Sequence, residues 1–450
     1  MKRILPLLCL LASPAVAQEV SIPHTTFELA NGLRVVVNED SSTPIVAVNV
    51  WYHVGSGYEE PGRTGFAHLF EHILFEGSKN VPEGDFDNLL EAAGAVNNGS
   101  TTPDRTNYYE ILPSSALELA LWLEADRMGA LLEAMNPGKL NIQRDVVKNE
   151  RRQSYENAPY GMFWETAAGA LYPQGHPYSW STIGSMDDLS AATLQDVENF
   201  FRRYYTPNNA VIAVSGDVDA ERVRGLMERY FGWIPRGPEV ARPDLPIPAI
   251  PENRSITLED RVTLPQLNLI WRGDRQFGED DAALNALAAV LSEGKNSRLY
   301  KRLVYDEQVA QSVSAFHNAQ LVSGDLYIRV MGKADTPLPM LQRAVDEEIA
   351  RLAATPPTAD EMQRVISGIE TGFVRSLETV GGKADQLNAY VYYAGDPGFV
   401  QEDLARYRAL TAADVQLAAR EYLMEKNRVI INIVPEGKTE LAATATEDSR

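Results

Sequence analysis

Six prolines lie close together near the middle of this 450-residue chain and divide it into two halves. The stretch 233–254 reads WIPRGPEVARPDLPIPAIPENR. Proline at this density prevents helix formation and favours an extended, semi-rigid connection. We therefore predict a linker at 235–254 between one domain at 18–234 and a second at 255–450, because the chain is too long for one typical core.

The two halves share a layout in which apolar strands alternate with long helices, a pattern typical of a mixed α+β fold. In the first half, strands are predicted at 26–37 and 45–54. A helix followed by an apolar strand at 189–214 recurs at 410–434 with a similar opening. The recurrence indicates a duplication, and we expect two homologous α/β-sandwich-like domains.

The segment 65–76, GFAHLFEHILFE, contains His68, Glu71 and His72 in the arrangement His-x-x-Glu-His. On a helix, positions 68 and 72 are one turn apart and position 71 lies beside both, so two imidazoles and a carboxylate share a face. A catalytic zinc ion takes three protein ligands, and a nearby carboxylate can move a proton from water to a leaving amine. This inverted metallopeptidase signature therefore predicts a zinc site with its general base.

The alternative is an amphipathic helix whose histidines are only packed or solvated. The chain has 6 histidines, so a chance pair around a glutamate is uncommon, and we favour the metal site. A third ligand must come from elsewhere in the first half. Spacing alone leaves Glu124, Glu150 and Glu156 open, because a single glutamate on a helix is usually solvated.

The first 17 residues, MKRILPLLCLLASPAVA, have the pattern of a secretory signal peptide, with two basic residues, an apolar run and an Ala-Val-Ala cleavage site. We expect cleavage after Ala17 and export, most simply into a bacterial periplasm. Cys9 is the only cysteine and lies in this segment, so the mature chain is expected to have no disulfide and no thiol chemistry. No other apolar run approaches the length of about 20 residues that spans a bilayer.

The formal net charge of -21 argues against nucleic acid and against anionic membranes as partners. Such an acidic balance equally serves solubility, which is the explanation we favour. Other catalytic signatures are absent from the sequence, namely G-x-S-x-G, the phosphate loop G-x-x-x-x-G-K-[ST] and G-x-G-x-x-G.

Several segments, in this order, resemble the pitrilysin/insulinase family of inverted-zincin metallopeptidases. They are the motif itself, 94–109 (GAVNNGSTTPDRTNYY), 144–153 (RDVVKNERRQ) and 204–216, which ends in VIAVSG. The resemblance covers nearly the whole first half. The second half matches through 296–303 (NSRLYKRL) and through the helix and strand near its end.

The resemblance implies that His68, His72 and Glu150 bind one zinc ion and that Glu71 is the general base. It also implies an edge strand that binds the substrate backbone by strand addition. The residues of that strand are Asn97, Asn98, Gly99, Ser100 and Thr101. The adjacent asparagines leave two registers open for this strand.

Two departures from the family pattern bear on the mechanism. Gln143 stands where members often have a second glutamate, two helical turns before the distal ligand, so a charge is missing near the site. Val304 and Gln311 stand where members that work alone have an arginine and a tyrosine that polarise the substrate. Three polar residues nearby are expected to be ordinary surface or packing groups: Arg298, Arg302 and Tyr305.

The family's closed chamber is built from four such domains, and this chain has two. It therefore resembles half-length, subunit-type members and is expected to form half of a clamshell chamber. We predict the zinc-bearing subunit of a heterodimer, whose homologous partner lacks the motif and supplies the missing arginine and tyrosine. A homodimer is the less favoured arrangement.

The predicted activity is that of a periplasmic zinc-dependent endopeptidase that hydrolyses short unfolded peptides. The alternative is a non-catalytic peptide-binding or assembly subunit that uses the same fold, because fold alone does not establish function. A purely structural zinc site fits poorly, since such sites are usually closed by four ligands and favour cysteine.

Overall fold

The structure, a computed structural model, describes residues 20–444. The predicted signal peptide and its cleavage site after Ala17 lie outside the described residues. Two separate β-sheets organise the described chain, one in each half, and helices surround both. The mixed α+β architecture predicted from the sequence is confirmed. None of the helices within 20–444 combines the length and apolar character needed to cross a membrane.

The first sheet has six strands. They are β1 Thr25–Glu28, β2 Arg34–Glu39, β3 Ile45–Tyr52, β4 Val96–Thr101, β5 Thr106–Pro113 and β6 Ala210–Gly216. Their order in the sheet is β1-β2-β6-β3-β5-β4, with β2 and β6 parallel and every other neighbouring pair antiparallel. This order places β4 at an edge of the sheet.

Eight helices belong to the first half. They are α1 Phe66–Ile73, α2 Asp85–Ala92, α3 Leu117–Ala130, α4 Pro137–Arg151, α5 Phe163–Leu171, α6 Met186–Ala191, α7 Leu194–Tyr204 and α8 Ala220–Phe231. Side chains alternate along β3, so Val46, Val48 and Val50 belong to a core shared with α1, α3 and α8. The intervening residues of β3 point to the opposite face of the sheet.

The single strand predicted at 26–37 is wrong, because the structure has the two antiparallel strands β1 and β2 there. The chain reverses at Asn31-Gly32, where Gly32 has a φ of 90° that favours glycine. The Asn31 side chain supports the turn, since its Oδ1 accepts from the Leu33 N–H and its Nδ2 donates to the Phe231 carbonyl. Apolar residues on both sides of this Asn-Gly pair concealed the turn in the sequence pattern.

The second sheet repeats the topology of the first. Its strands are β7 Arg254–Asp260, β8 Gln266–Gly273, β9 Ala310–Ala319, β10 Gly324–Gly332 and β11 Arg428–Pro435. The order β7-β11-β8-β10-β9 matches β2-β6-β3-β5-β4, and β7 and β11 are again the parallel pair. The expected duplication is therefore visible in the strand order, with β1 alone having no counterpart among the described residues.

The second half contains six further helices. They are α9 Asp281–Ser292, α10 Leu338–Ala354, α11 Ala359–Ser376, α12 Val380–Ala389, α13 Val400–Ala409 and α14 Ala412–Ala418. The similar openings seen in the sequence are capping boxes, formed by Thr193 with Asp196 before α7 and by Thr411 with Asp414 before α14. Each of these helices leads towards the strand that pairs in parallel, β6 or β11.

Each sheet has its second face covered by a helix from the other half. Helix α12 packs on the first sheet, where Ala384 and Leu387 join Ala47, Trp51 and Val211 in one apolar cluster. Helix α5 packs on the second sheet in the same manner, through Phe163, Ala167 and Leu171 against Ile270, Val429 and Ile431. Residues 235–253 form no helix or strand. The halves are thus joined by a covalent segment and by two exchanged helices.

Candidate metal centre

Helix α1 carries the His-x-x-Glu-His motif, and its start is held in two ways. Gly65 precedes it with a φ of 87°, and a Cβ at this position would lie 2.7 Å from the Ile183 carbonyl oxygen. The buried Glu59 carboxylate accepts from the N–H groups of Gly65 at 3.0 Å and Ala67 at 2.8 Å. These two bonds satisfy N–H groups that have no partner within the helix. The helix therefore begins at a defined place relative to the sheet.

The apolar face of α1 turns into the core through Phe66, Leu69, Phe70 and Ile73. The 3.6-residue period leaves His68, Glu71 and His72 on the remaining face, so the motif is only partly buried. The apolar residues between the motif positions thus decide which way the three polar side chains point.

Helix α4 brings Glu150 to the two histidines. The Oε2 atom of Glu150 lies 3.8 Å from Nε2 of His68 and 3.3 Å from Nε2 of His72, and the imidazole centroids are 4.9 Å apart. One ligand atom from each of the three residues lies within 4.8 Å of the others, the one such cluster among residues 20–444. Tetrahedral zinc bonds of roughly 2.0–2.2 Å separate ligand atoms by about 3.3–3.6 Å, so this donor set suits zinc.

The ionisation of two ligands also suits a cation. Burial lowers the pKa of His68 to about 4, and the neighbouring Glu150 charge only partly opposes this, so the imidazole is neutral at neutral pH. The hydrogen bond with His72 lowers the pKa of Glu150 below its ordinary value. A neutral imidazole and an ionised carboxylate are the forms that bind metal.

Glu71 lies beside this cluster and against strand β4. Its Oε2 atom accepts from the Thr101 hydroxyl at 2.6 Å. Burial raises the pKa of Glu71, while the Thr101 bond works in the opposite direction. A carboxylate whose pKa is raised towards neutrality can both accept and return a proton, as a general base requires.

The outer edge of β4 pairs with no strand of the described chain. The Thr102 N–H donates to the Arg105 carbonyl, which turns that residue towards β5. Because backbone groups alternate along a strand, those of Asn97, Gly99 and Thr101 face the open edge. The Gly99 N–H is covered by the Asn98 side chain at 2.8 Å.

The backbone groups of the two remaining residues of the predicted substrate strand, Asn98 and Ser100, face β5. The Ser100 carbonyl accepts from Arg105 at 2.9 Å and its hydroxyl donates to Asn107 at 2.6 Å, so Ser100 is occupied within the sheet. The pairing of β4 with β5 thus separates the residues whose backbone groups are open from those whose backbone groups are paired.

Gly99 leaves room for the Glu71 side chain. A Cβ at this position would lie 3.1 Å from Cγ of Glu71 and 3.3 Å from the Asn107 carbonyl oxygen. Gly99→Ala is expected to displace the carboxylate and lower kcat/KM for peptide cleavage by about tenfold to a hundredfold, with zinc content unchanged. The matched control is Val96→Ala on the same strand, where the native side chain is 66% exposed. An equal loss of kcat/KM in both variants would show that close contact with Glu71 is not the cause.

Glu59 gives α1 a pH-dependent anchor. Burial raises its pKa from an ordinary 4.5 to about 8. Between these values the unfolded chain has released the proton and the folded chain retains it, so the free energy of unfolding falls as pH rises. Glu59→Gln has no proton to lose. Between about pH 5 and pH 8, the free energy of unfolding of the wild type is therefore expected to fall by about 2–4 kcal/mol more than that of Glu59→Gln.

Urea unfolding of the zinc-free wild type and of Glu59→Gln at both pH values measures this difference. Subtracting the two proteins cancels the titration of other buried carboxylates, such as Asp104 and Asp325. Parallel pH profiles for the two proteins would show that Glu59 does not hold its proton in the folded chain.

Gln143, the residue that replaces a glutamate of the family pattern, is buried beneath the site. Its Nε2 donates to Oε1 of Glu76 at 2.6 Å. Burial raises the pKa of Glu76, and the Lys139 ammonium opposes this. This hydrogen bond connects helix α4 to the segment that follows helix α1. The sequence singled out Gln143 and missed Glu76.

The two arginines near Val304 and Gln311 in the second half are bound to carboxylates. Arg298 makes two hydrogen bonds to the Glu361 carboxylate, at 2.8 and 3.0 Å. Arg302 is bound by Glu307 and Glu347. Tyr305 is 72% exposed. These contacts agree with the expectation that Arg298, Arg302 and Tyr305 are surface or packing residues.

Comparison with known proteins decides the family. The family model described as "Insulinase (Peptidase family M16)" matches residues 34–166, and the one described as "Peptidase M16 inactive domain" matches 191–369. The zinc protease PqqE of Helicobacter pylori is 30% identical over 437 residues, which cover 95% of this chain and 97% of that protein. The chain belongs to peptidase family M16. All four motif and ligand residues lie within 34–166, outside the segment that matches the inactive domain.

Further proteins and solved structures are similar to this chain. An uncharacterised zinc protease of Mycobacterium leprae is 27% identical, with 92% of each chain covered. The crystal structure of a protease from Helicobacter pylori superposes with a TM-score of 0.87 at 28% identity, covering 92% of this chain and 100% of that one. The periplasmic protease PqqL of Escherichia coli shares the fold at 18% identity and a TM-score of 0.78, and the match covers 52% of its length.

Proposed function

We propose that this M16 peptidase is a zinc-dependent endopeptidase that hydrolyses short unfolded peptides. The observation that supports it best is the convergence of His68, His72 and Glu150 with Glu71 beside the open edge of β4. A zinc ion bound by these ligands would supply a Lewis acid that polarises the scissile carbonyl and acidifies water.

The chain's own groups would perform the proton transfer. Thr101 donates to one carboxylate oxygen of Glu71 and holds the side chain in place. Glu71 would take a proton from the attacking water and pass it to the departing amine, for which its raised pKa is suited. The deprotonated form is required first, so activity is expected to rise with pH through the pKa of Glu71.

Strand β4 would bind the substrate backbone by strand addition. The outward backbone groups of Asn97, Gly99 and Thr101 are available for a further antiparallel or parallel strand. Only an extended segment can pair in this way, so a folded protein is excluded and a flexible peptide is accepted. The Asn98 side chain would have to leave the Gly99 N–H when a peptide binds.

The proposal includes a homologous partner subunit and an exported location. Val304 and Gln311 cannot polarise a carbonyl as arginine and tyrosine do, and the neighbouring Arg298 and Arg302 are held in ion pairs. A partner without the zinc motif would supply the missing pair and the other half of a clamshell chamber. The composition of residues 1–17 supports export into a periplasm.

The test is cleavage of an unstructured fluorogenic peptide by the purified chain, alone and with partner co-purified from its own cells. We expect activity that requires the partner, disappears on chelation and returns with zinc. Full activity as a homodimer would remove the partner from the proposal. Zinc-replete protein that is inactive in both preparations would favour the alternative, a non-catalytic peptide-binding or assembly subunit.

A further inference from the structure

A cleft of about 270 Å³ lies at the end of the first sheet, where the linker and the second half meet it. Three arginines and a histidine distinguish its lining, and we call it the arginine cleft: Arg34, Arg236, Arg242 and His53. Arg34 begins β2, His53 follows the end of β3, and the other two arginines belong to the linker. The cleft lies apart from the three candidate metal ligands, none of which lines it.

The cleft concentrates positive charge in an acidic protein. Its charged lining consists of three arginines together with Glu28 and Glu239. Arg236 donates to Glu239 at 2.5 Å and is thereby neutralised. Arg34 lies opposite Glu28 in the pairing of β1 with β2, but neither Arg34 nor Arg242 forms an ion pair within residues 20–444. Although the whole chain has 62 acidic and 41 basic residues, the lining of this cleft has more arginines than carboxylates.

The positions of these groups are set by local contacts. Arg242 donates to the Tyr392 carbonyl at 2.7 Å, and its guanidinium lies 4.9 Å from the centroid of the Tyr392 ring. The imidazole of His53 packs against the same ring in a tilted arrangement, with the ring centroids 4.6 Å apart. Burial lowers the pKa of His53 to about 3, and the charges of Arg242 and Arg34 add to this. The positive potential of the cleft therefore reaches His53, which is uncharged.

We propose that the arginine cleft binds a phosphate group, either as inorganic phosphate or as the terminal group of a small phosphate ester. Guanidinium groups present N–H donors in a planar fork that matches the paired oxygens of a phosphate. The volume lies just below the roughly 300 Å³ at which clefts for drug-sized ligands begin, so a small anion fits and a large ligand does not.

A bound phosphate would connect parts of the chain that are distant in sequence. It would bridge Arg34 of the first sheet to Arg242 of the linker, beside Val391 of the second half. Tyr58 also lines the cleft and precedes Glu59, the residue that caps helix α1. Phosphate is therefore expected to stabilise the folded chain, because it binds the assembled cleft and not the unfolded chain.

The test is calorimetric titration of the zinc-loaded chain with inorganic phosphate and, separately, with phenyl phosphate, at constant ionic strength in chloride. We expect saturable binding of one ion and a thermal midpoint that rises with phosphate concentration. Binding of phosphate alone would assign the cleft to the free ion, and preferential binding of phenyl phosphate would assign it to an ester. A midpoint that rises equally with chloride would overturn the proposal.

Variants locate the binding. Arg34→Gln is expected to weaken phosphate binding about tenfold or more, and the fold should be retained because Arg34 is only half-buried at the start of β2 and forms no ion pair with Glu28 opposite it. Arg63→Gln, which removes an exposed arginine paired with Asp196, is the matched control and should bind as the wild type does. Undiminished binding in Arg34→Gln would place the phosphate elsewhere, such as at the metal, and would overturn the proposal.

A second measurement uses the small number of histidines. The chain has 6, so their imidazole signals can be resolved by NMR. The His53 signals are expected to shift on addition of phosphate in the wild type and in Arg63→Gln, and to need about tenfold or more phosphate for the same shift in Arg34→Gln. Shifts confined to His68 and His72 would indicate binding at the metal centre and contradict the assignment.

Discussion

Glu71→Gln is expected to lower the rate of peptide hydrolysis by about 10²–10⁴-fold, the range for loss of a positioned general base. Glutamine has the same size and can still accept from the Thr101 hydroxyl, now 2.6 Å from Glu71. It cannot take up a proton. Because His68, His72 and Glu150 are unchanged, the variant should still bind one zinc ion. Initial rates on an unstructured peptide and zinc content by mass spectrometry measure the two effects separately.

Two further variants make this experiment specific. Glu156→Gln removes a nearby carboxylate that lies 3.5 Å from Arg151 outside the ligand cluster, and it should leave activity close to wild type. Glu150→Gln should lose zinc and activity together, because it weakens a ligand. If Glu71→Gln also lost its zinc, Glu71 would have to be reassigned as a ligand, and if it kept full activity the general base would lie elsewhere.

Arg272→Met is expected to lower the free energy of unfolding by about 3–5 kcal/mol, the cost of leaving a buried charge without its partner. Arg272 forms an ion pair with Asp325, and both side chains are almost fully buried, 4% and 2% exposed. Arg272 also donates to the Leu171 carbonyl at 2.5 Å, at the end of the exchanged helix α5. Tyr172 donates to the same aspartate at 2.9 Å. Urea unfolding monitored by circular dichroism measures the loss.

The double variant Arg272→Met with Asp325→Leu tests the cause, since it removes both charges. It should recover part of the lost stability, because no unpaired carboxylate remains in the core. A surface pair supplies the comparison: Arg229→Met breaks the exposed contact to Glu118 and should cost less than about 1 kcal/mol. A loss in Arg272→Met no larger than that of Arg229→Met would show that the buried pair does not hold α5 in place.

The part of the site that follows from local periodicity could be predicted from the sequence. The spacing of His68, Glu71 and His72 on a helix is enough to place them on one face. Glu150 is distant in sequence, so spacing could not distinguish it from Glu124 and Glu156 as the third metal ligand. Only the family resemblance indicated Glu150. The structure places Glu150 with the histidines. It places Glu124 in a buried ion pair with Arg127, so Glu124 has a structural partner of its own.

The role of the Thr101 side chain depends on how strand β4 pairs with its neighbour. The family resemblance implied that Thr101 takes part in backbone recognition on the edge strand, and the structure adds a hydrogen bond from its side chain to Glu71. The face on which a strand residue lies changes with a shift of one position, and the adjacent Asn97 and Asn98 left that position open. The side-chain role therefore could not be read before the pairing of β4 with β5 was known.

The fold shows a similar limit. Apolar periodicity revealed that the halves contain sheets and helices in a repeated order, and the strand order confirms it. Periodicity shows that a helix has a buried face, but it does not show which sheet covers that face. For this reason the sequence did not reveal that α5 and α12 cross to the opposite half.

The exchange of α5 and α12 makes each half an incomplete building block. A first half expressed alone would expose Ala47, Trp51 and Val211 to water, and a second half alone would expose Ile270, Val429 and Ile431. The proline-rich segment is consequently not a hinge between two independent domains. Bending there would separate α5 and α12 from the sheets on which they pack. If this chain encloses a chamber, the opening that admits a peptide is a movement between whole chains, and duplication has here produced a single inseparable unit.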